Sequence, residues 1–291
     1  METLDIKKLP PNELVAYYGA IFAAAAIDGR VESTELLTIY ETLEIDHLSP
    51  ELQATVRDFA LHPPALDHQL SVLSTCSSEL RFSVMLSIIE VIYSDEEVTD
   101  SEKALLKKAC VSLRINEDQL KAMIRFVEEA ARISKNGKDD AAAADALKNA
   151  VQGLGAVGVP IAAIYLSGSV IGLGAAGITS GLAALGLGLG MVPGIGVCIL
   201  AGVAVYSALK WAFGSSKEEK RRASEVQTQR KAARVIRNLQ DTINHLLKRI
   251  DELSAAAQKA DANRESIDRL RERITKLQEA INKKHETYAI S

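Results

Sequence analysis

Residues 149–209 contain no Asp, Glu, Lys, Arg or His, although charged residues make up 25% of the whole chain. This stretch, the uncharged run, is rich in Gly and Ala, and Leu, Ile and Val fill much of the remainder. A helix needs about 20 apolar residues to cross a bilayer, so the run is long enough for two crossings and a turn. Its lack of charge makes contact with lipid, or burial in a protein core, the first question about this chain.

Other scarcities exclude further classes of protein. Aromatic residues make up only 4% of the chain, and the single tryptophan, Trp211, follows the uncharged run, where an interfacial anchor would lie. The three cysteines have no CxxC spacing, which indicates buried thiols in a reducing compartment. Residues 1–8 are polar, so we expect no cleaved signal peptide and a cytosolic N-terminal half. A net charge of −4 gives no reason to expect nucleic acid as a partner.

Sequence signatures of catalysis are also missing. The five histidines show neither an HExxH motif nor another metal-ligand spacing on one helix face. The string Gly153-x-Gly155-x-x-Gly158 lacks the preceding strand and the βαβ unit of a dinucleotide site. We therefore expect no enzymatic activity.

Helical periodicity runs through residues 11–134. Leu14, Tyr18, Ile21 and Phe22 recur at three- and four-residue spacing, as they would on one buried helix face. No stretch alternates like a strand, so we predict an all-α domain of about seven helices within residues 1–135. A linker at 136–148 would follow it.

A short acidic motif occurs twice in this domain. Residues 28–35 read Asp-Gly-Arg-Val-Glu-Ser-Thr-Glu, and residues 95–102, which lie 67 positions later, read Asp-Glu-Glu-Val-Thr-Asp-Ser-Glu. Each copy follows one apolar helix and precedes another. The repeat predicts two related helical halves packed about a pseudo-dyad.

These residues resemble the TerB-like family of tellurite-resistance and stress-response domains. The resemblance rests on residues 26–31 with Glu35 and on the second copy, which ends at Glu102, and it covers about residues 10–135. It implies an all-helical, duplicated domain associated with divalent-metal binding through acidic side chains. One departure is Glu96, which stands where the first copy has Gly29, because a turn that needs a positive φ would be strained there.

Two interpretations of the motif remain open. In the first, Asp28, Glu35, Asp95 and Glu102 converge as oxygen ligands for a divalent cation such as Ca²⁺. In the second, the glutamates only begin helices. Thr99 and Glu102 would then form a capping box, while Val31 and Leu36 would form a hydrophobic staple with Glu35 at the third helical position.

The glycine- and alanine-rich segment 149–213 is predicted to form an apolar helical hairpin. Repeated Gly-xxx-Gly spacing favours close helix packing, and the two spans would lie near 154–176 and 185–209. The basic residues after Trp211 favour the cytosolic side, which places both ends of the hairpin there. The alternatives are a permanent core hairpin and a sheltered hairpin that inserts on triggering, in outline similar to α-helical pore-forming toxins.

The C-terminal arm, residues 214–291, carries coiled-coil periodicity in two blocks. The first steps by three and four residues from Ile236 to Leu253, and the second, from Ile267 to Ile281, is shifted by three. Either one helix contains a stammer, or the chain turns back near 260–263. Residues 220–285 would bind a second copy or a protein partner, or would pack on the TerB-like domain.

These features favour a non-enzymatic, membrane-associated stress-response or defence protein at the cytoplasmic side of the bacterial inner membrane. The TerB-like module would sense or scaffold there. The alternative is a pore-forming effector, soluble in the cytoplasm, whose sheltered hairpin inserts when the protein oligomerises.

Overall fold

The structure, a computed structural model, describes residues 8–29, 31–94, 98–136, 141–160, 163–164, 217–255 and 260–289. These residues form ten helices and no strand, which confirms the predicted all-α fold. The helices are α1 (Pro11–Ala25), α2 (Ser33–Thr42), α3 (Pro50–Asp58), α4 (Leu66–Leu73), α5 (Ser78–Ile92), α6 (Asp100–Leu113), α7 (Glu117–Asn136), α8 (Ala141–Ala156), α9 (Lys217–Ala255) and α10 (Ala260–Ala289).

The N-terminal domain, α1–α7, has α1 and α5 at its centre. α1 starts with Pro11 and Asn12, where proline suits a helix start, and it packs against α4 and α5. The apolar positions predicted for its buried face, Leu14, Tyr18 and Ile21, are fully buried. Seven helices between residues 8 and 136 agree with the number predicted from periodicity.

Helix starts in the two halves of this domain are evenly spaced. α1 and α5 begin at Pro11 and Ser78, α2 and α6 at Ser33 and Asp100, and α3 and α7 at Pro50 and Glu117, so each pair is 67 residues apart. An internal duplication would produce this spacing. The pseudo-dyad relation between the halves stays a prediction.

α8 changes the expected boundary before the uncharged run. It covers most of the linker predicted at 136–148, continues into the run to Ala156, and packs against α7. Alanine is the strongest helix former, which explains why this Ala-rich sequence is helical rather than extended. Residues 141–148 of the predicted linker and the start of the predicted hairpin therefore belong to one helix.

The start of the uncharged run is part of the folded core. Val151, Leu154 and Val159 are buried in the same cluster as the N-terminal domain, and the chain turns at Gly158, whose φ is +80°. The first predicted span therefore does not begin as a continuous helix at Leu154. Residues 165–216, which hold the rest of the run and the second span, lie outside the described residues. Among the helices that the structure does describe, none is both long enough and apolar enough to cross a membrane.

The arm consists of two helices, α9 and α10, that pack against each other. Two parts of one continuous helix could not lie side by side in this way, so the arm, α9 (Lys217–Ala255) with α10 (Ala260–Ala289), is a helical hairpin. Leu239, Leu246, Leu270 and Leu277 of the predicted seams are fully buried. The arm also contacts α2 and α3, so its seams are buried within this chain.

Candidate functional site: the acidic motif and the arm interface

The first acidic motif begins α2. Glu35, at the third helical position, is only 5% exposed, and its Oε2 accepts a hydrogen bond from the backbone N–H of Glu32 at 2.7 Å. Val31 and Leu36, on either side of the helix start, are both buried in the core, as the predicted staple requires. This carboxylate therefore satisfies a backbone donor that the helix itself leaves unpaired.

The second motif begins α6 with the same geometry. Thr99 Oγ1 accepts from the backbone N–H of Glu102 at 3.2 Å, and Glu102 Oε2 accepts from the N–H of Thr99 at 2.7 Å. Glu102 is also 5% exposed. The predicted capping box is thus present, and a cap of this kind contributes about 1 kcal/mol to helix stability.

The other two predicted ligands are placed differently. Asp28 lies in the exposed turn after α1, next to Gly29 at φ +82°, while Asp95 falls outside the described residues. Within the described ranges, no group of three or more His, Cys, Asp or Glu side chains is arranged to hold a metal ion. Convergence of all four acidic residues on one cation stays a prediction.

The arm meets the N-terminal domain along α2, α3 and the connection between them, a surface that we call the arm interface. At its centre, Tyr40 of α2 donates a hydrogen bond through its hydroxyl to Thr242 Oγ1 of α9 at 2.9 Å. Neither side chain is exposed to solvent, and burial raises the pKa of Tyr40 above its usual range. A paired hydroxyl in a buried contact fixes the register of the two helices, because an offset would leave a polar group unpaired.

The connection after α2 is held from both sides of the arm interface. Asn238 of α9 donates through Nδ2 to the carbonyl of Leu43 at 3.1 Å. From the other side, Tyr18 of α1 accepts from the N–H of Glu44 at 2.8 Å and donates to the carbonyl of Thr42 at 3.3 Å. The arm therefore contacts backbone that the domain core itself positions.

Opposite charges surround this buried centre. Four arm cations pair with acidic residues in α2 or directly beside it: Arg234 with Glu44, Arg237 with Asp46, Lys276 with Glu32, and Lys284 with Glu41. One pair, Arg57 with Asp241 at 3.4 Å, has the opposite polarity. Exposed pairs contribute only about 0–1 kcal/mol each, but matched charges select the partner and steer its approach.

α10 covers the start of α2, and with it the first acidic motif. Lys276 Nζ lies 3.0 Å from Glu32 Oε2, and Lys283 Nζ donates to Ser33 Oγ at 2.8 Å. The hydrogen bond to Glu32 raises the pKa of Lys276. Burial lowers the pKa of Arg273, which interacts electrostatically with Tyr40 and Glu35. Ammonium and guanidinium groups therefore face the first motif.

The arm interface was only partly visible in the sequence. The apolar seams predicted that α9 and α10 need packing partners, but not that α2 would supply one. Asn238 and Thr242, four residues apart beside the α9 seam, were the available signal, because polar side chains that flank a buried seam usually serve a specific contact. Tyr40 gave no such signal.

Comparisons with known proteins found a similarity in the N-terminal part of the chain. No curated protein and no solved structure matches the chain. One family model does match, that of tellurite resistance protein TerB, over residues 14–125. The match ends before α8, the uncharged run and the arm, and it confirms that the segment predicted to be TerB-like resembles this family.

Proposed function

We propose that this chain is a non-enzymatic, membrane-associated stress-response or defence protein, in which the docked arm restrains the uncharged run. The TerB-like domain acts as the scaffold, and release of the arm lets the run engage the cytoplasmic face of the bacterial inner membrane. One observation carries the proposal. α8 and α9, the helices on either side of residues 165–216, both pack onto the TerB-like domain or its α7.

This arrangement bears on how the run would meet lipid. Its two ends are held by one domain, so a membrane-inserted run would cross an even number of times, as a hairpin does. The absence of charge over 149–209 supports lipid as the partner of segment 149–213, because charged side chains are what a bilayer core excludes most strongly. The buried start of the run supports conditional rather than permanent insertion of its first residues.

A flotation experiment tests the proposal. The variant Arg234→Glu with Lys276→Glu and Lys284→Glu reverses three cations that face acidic residues of the TerB-like domain. We expect more of this full-length variant than of wild type to float with phosphatidylethanolamine–phosphatidylglycerol vesicles. The reason is that the arm, once detached from the TerB-like domain, no longer restrains the uncharged run.

A matched control makes the same charge change elsewhere on the arm. Within the described part of the chain, Arg249, Arg269 and Arg271 each pair with an acidic residue of their own helix, so their replacement by Glu is expected to leave the arm interface intact. Equal flotation of the two variants would refute restraint by the arm. Leakage of a trapped dye in the first variant alone would favour the pore-forming effector over the membrane-associated scaffold.

Binding of a divalent cation by the acidic motif is a second proposal, supported by the repeated acidic sequence. If it holds, calorimetry of wild type with Ca²⁺ will show binding that is lost on Asp28→Ala with Asp95→Ala. Neither residue begins a helix, so this variant keeps both glutamate caps. Absence of a binding heat in wild type would leave the motif with its capping role alone.

A further inference from the structure

Several polar side chains are buried where the arm meets the N-terminal domain. Among the described residues, six buried side-chain nitrogen or oxygen atoms have no hydrogen-bond partner in the protein, and four of them lie on side chains at the arm interface. These four are Arg57 Nε, Arg234 Nε, Asn238 Oδ1 and Arg273 Nη1. The arm interface therefore buries polar and charged side chains together with its apolar seam.

The contacts of the arm fall into two sets. α9 and α10 pack on each other along an apolar seam, and both also contact α2, which every copy of the chain carries. Between the end of α8 at Ala156 and the start of α9 at Lys217 the chain has 60 residues, so chain length alone does not assign the arm to its own domain rather than to that of another copy.

From these observations we propose that the arm interface is exchangeable, and that the arm of one copy docks on the α2–α3 surface of a second copy. Every contact of the docked arm, from the Tyr40–Thr242 hydrogen bond to the four ion pairs, re-forms unchanged between copies. Exchange of an identical element needs no new surface, which makes it a low-cost route to a dimer. The proposal deepens the proposed function by naming a second copy as the partner, and it rests on the docked arm described above.

Concentration decides between the two arrangements. A tethered arm competes with an effective concentration that reaches about the millimolar range for short linkers and falls as the linker lengthens. Copies gathered on a membrane surface reach high local concentrations. Exchange is therefore expected where the uncharged run has brought several copies to lipid, and it brings their runs together.

Two complementary variants test exchange. The arm-reversed variant carries Arg234→Glu and Lys284→Glu, and the face-reversed variant carries Glu44→Arg and Glu41→Lys. When either variant is present by itself, like charges meet at both positions, whether the arm docks on its own domain or on a second copy of the same variant. Only a mixed pair with exchanged arms restores opposite charges at both interfaces, so we expect light scattering and native mass spectrometry to find a 1:1 complex in the mixture and monomers in each variant alone.

The control joins all four substitutions in one chain, which restores opposite charges within that chain and should return it to a monomer with a docked arm. If the mixture forms no complex while this control docks its arm, as judged by protection of α9 from hydrogen exchange, exchange is refuted. Failure of the control to dock would refute the role of these charge pairs in arm placement. Flotation of the arm-reversed variant by itself separates this proposal from the proposed function. If this variant binds more lipid than wild type but the mixture forms no complex, exchange between copies is contradicted, while restraint of the uncharged run by the arm is retained.

Discussion

Replacing Leu239 with Asp is expected to detach the arm while α1–α7 stay folded. Leu239 is 0% exposed, and its side chain lies in the apolar core that α9 shares with the rest of the chain. Removing a buried leucine side chain costs about 2–5 kcal/mol, and an uncompensated carboxylate in the same place adds a further penalty. Hydrogen-exchange mass spectrometry should therefore show loss of protection throughout α9 and α10, with protection of α1 and α5 retained.

The control for this prediction is Leu247→Asp, on the same helix. Leu247 is 45% exposed, so its replacement should leave the exchange of α9 and α10 close to that of wild type. Retained protection in the Leu239 variant would mean that the arm does not depend on its buried seam. Loss of protection in α5 as well would mean that the arm and the TerB-like domain unfold together.

Phe22→Ala should have the largest effect within the TerB-like domain. Phe22 is nearly fully buried, and its ring makes edge-to-face contacts with Tyr40 and Phe59 at centroid distances of 6.2 and 6.3 Å. We expect a loss of about 3–5 kcal/mol in the free energy of unfolding, measured by urea denaturation. Tyr40 loses a packing neighbour at the same time, so the Tyr40–Thr242 contact of the arm should weaken too.

An exposed apolar residue provides the comparison for Phe22. Val111 on α6 is 82% exposed, and Val111→Ala should change the free energy of unfolding by less than about 0.5 kcal/mol. A small effect of Phe22→Ala, similar to that of Val111→Ala, would contradict the packing described for the centre of this domain.

Local patterns in the sequence predicted the local structure well. Apolar spacing around Leu14 and Tyr18 identified α1, and the pair Thr99–Glu102 identified the start of α6. Such features depend on residues three or four positions apart, which a single sequence displays directly. The same local logic explains why both glutamates of the repeated motif are engaged at helix starts.

Long-range contacts were beyond the reach of these patterns. Tyr40 and Thr242 are separated by 202 residues, and nothing near either residue identifies the other. A seam of Leu and Ile predicts that a helix will be covered, but it is equally compatible with a second copy, a partner or the chain's own α2. Composition did not show that residues 141–148 form part of α8, because the packing of this helix against α7 is also a long-range feature, and the bounds of the linker stay a prediction.

The amount of full-length protein that floats with vesicles, compared between the interface-reversed variant (Arg234→Glu, Lys276→Glu, Lys284→Glu) and its charge-matched control, tests restraint of the uncharged run most directly. Both variants carry the same net charge, so any difference reports the arm interface itself. Restraint by the docked arm predicts more lipid-bound protein for the interface-reversed variant. Equal amounts for the two variants would contradict it.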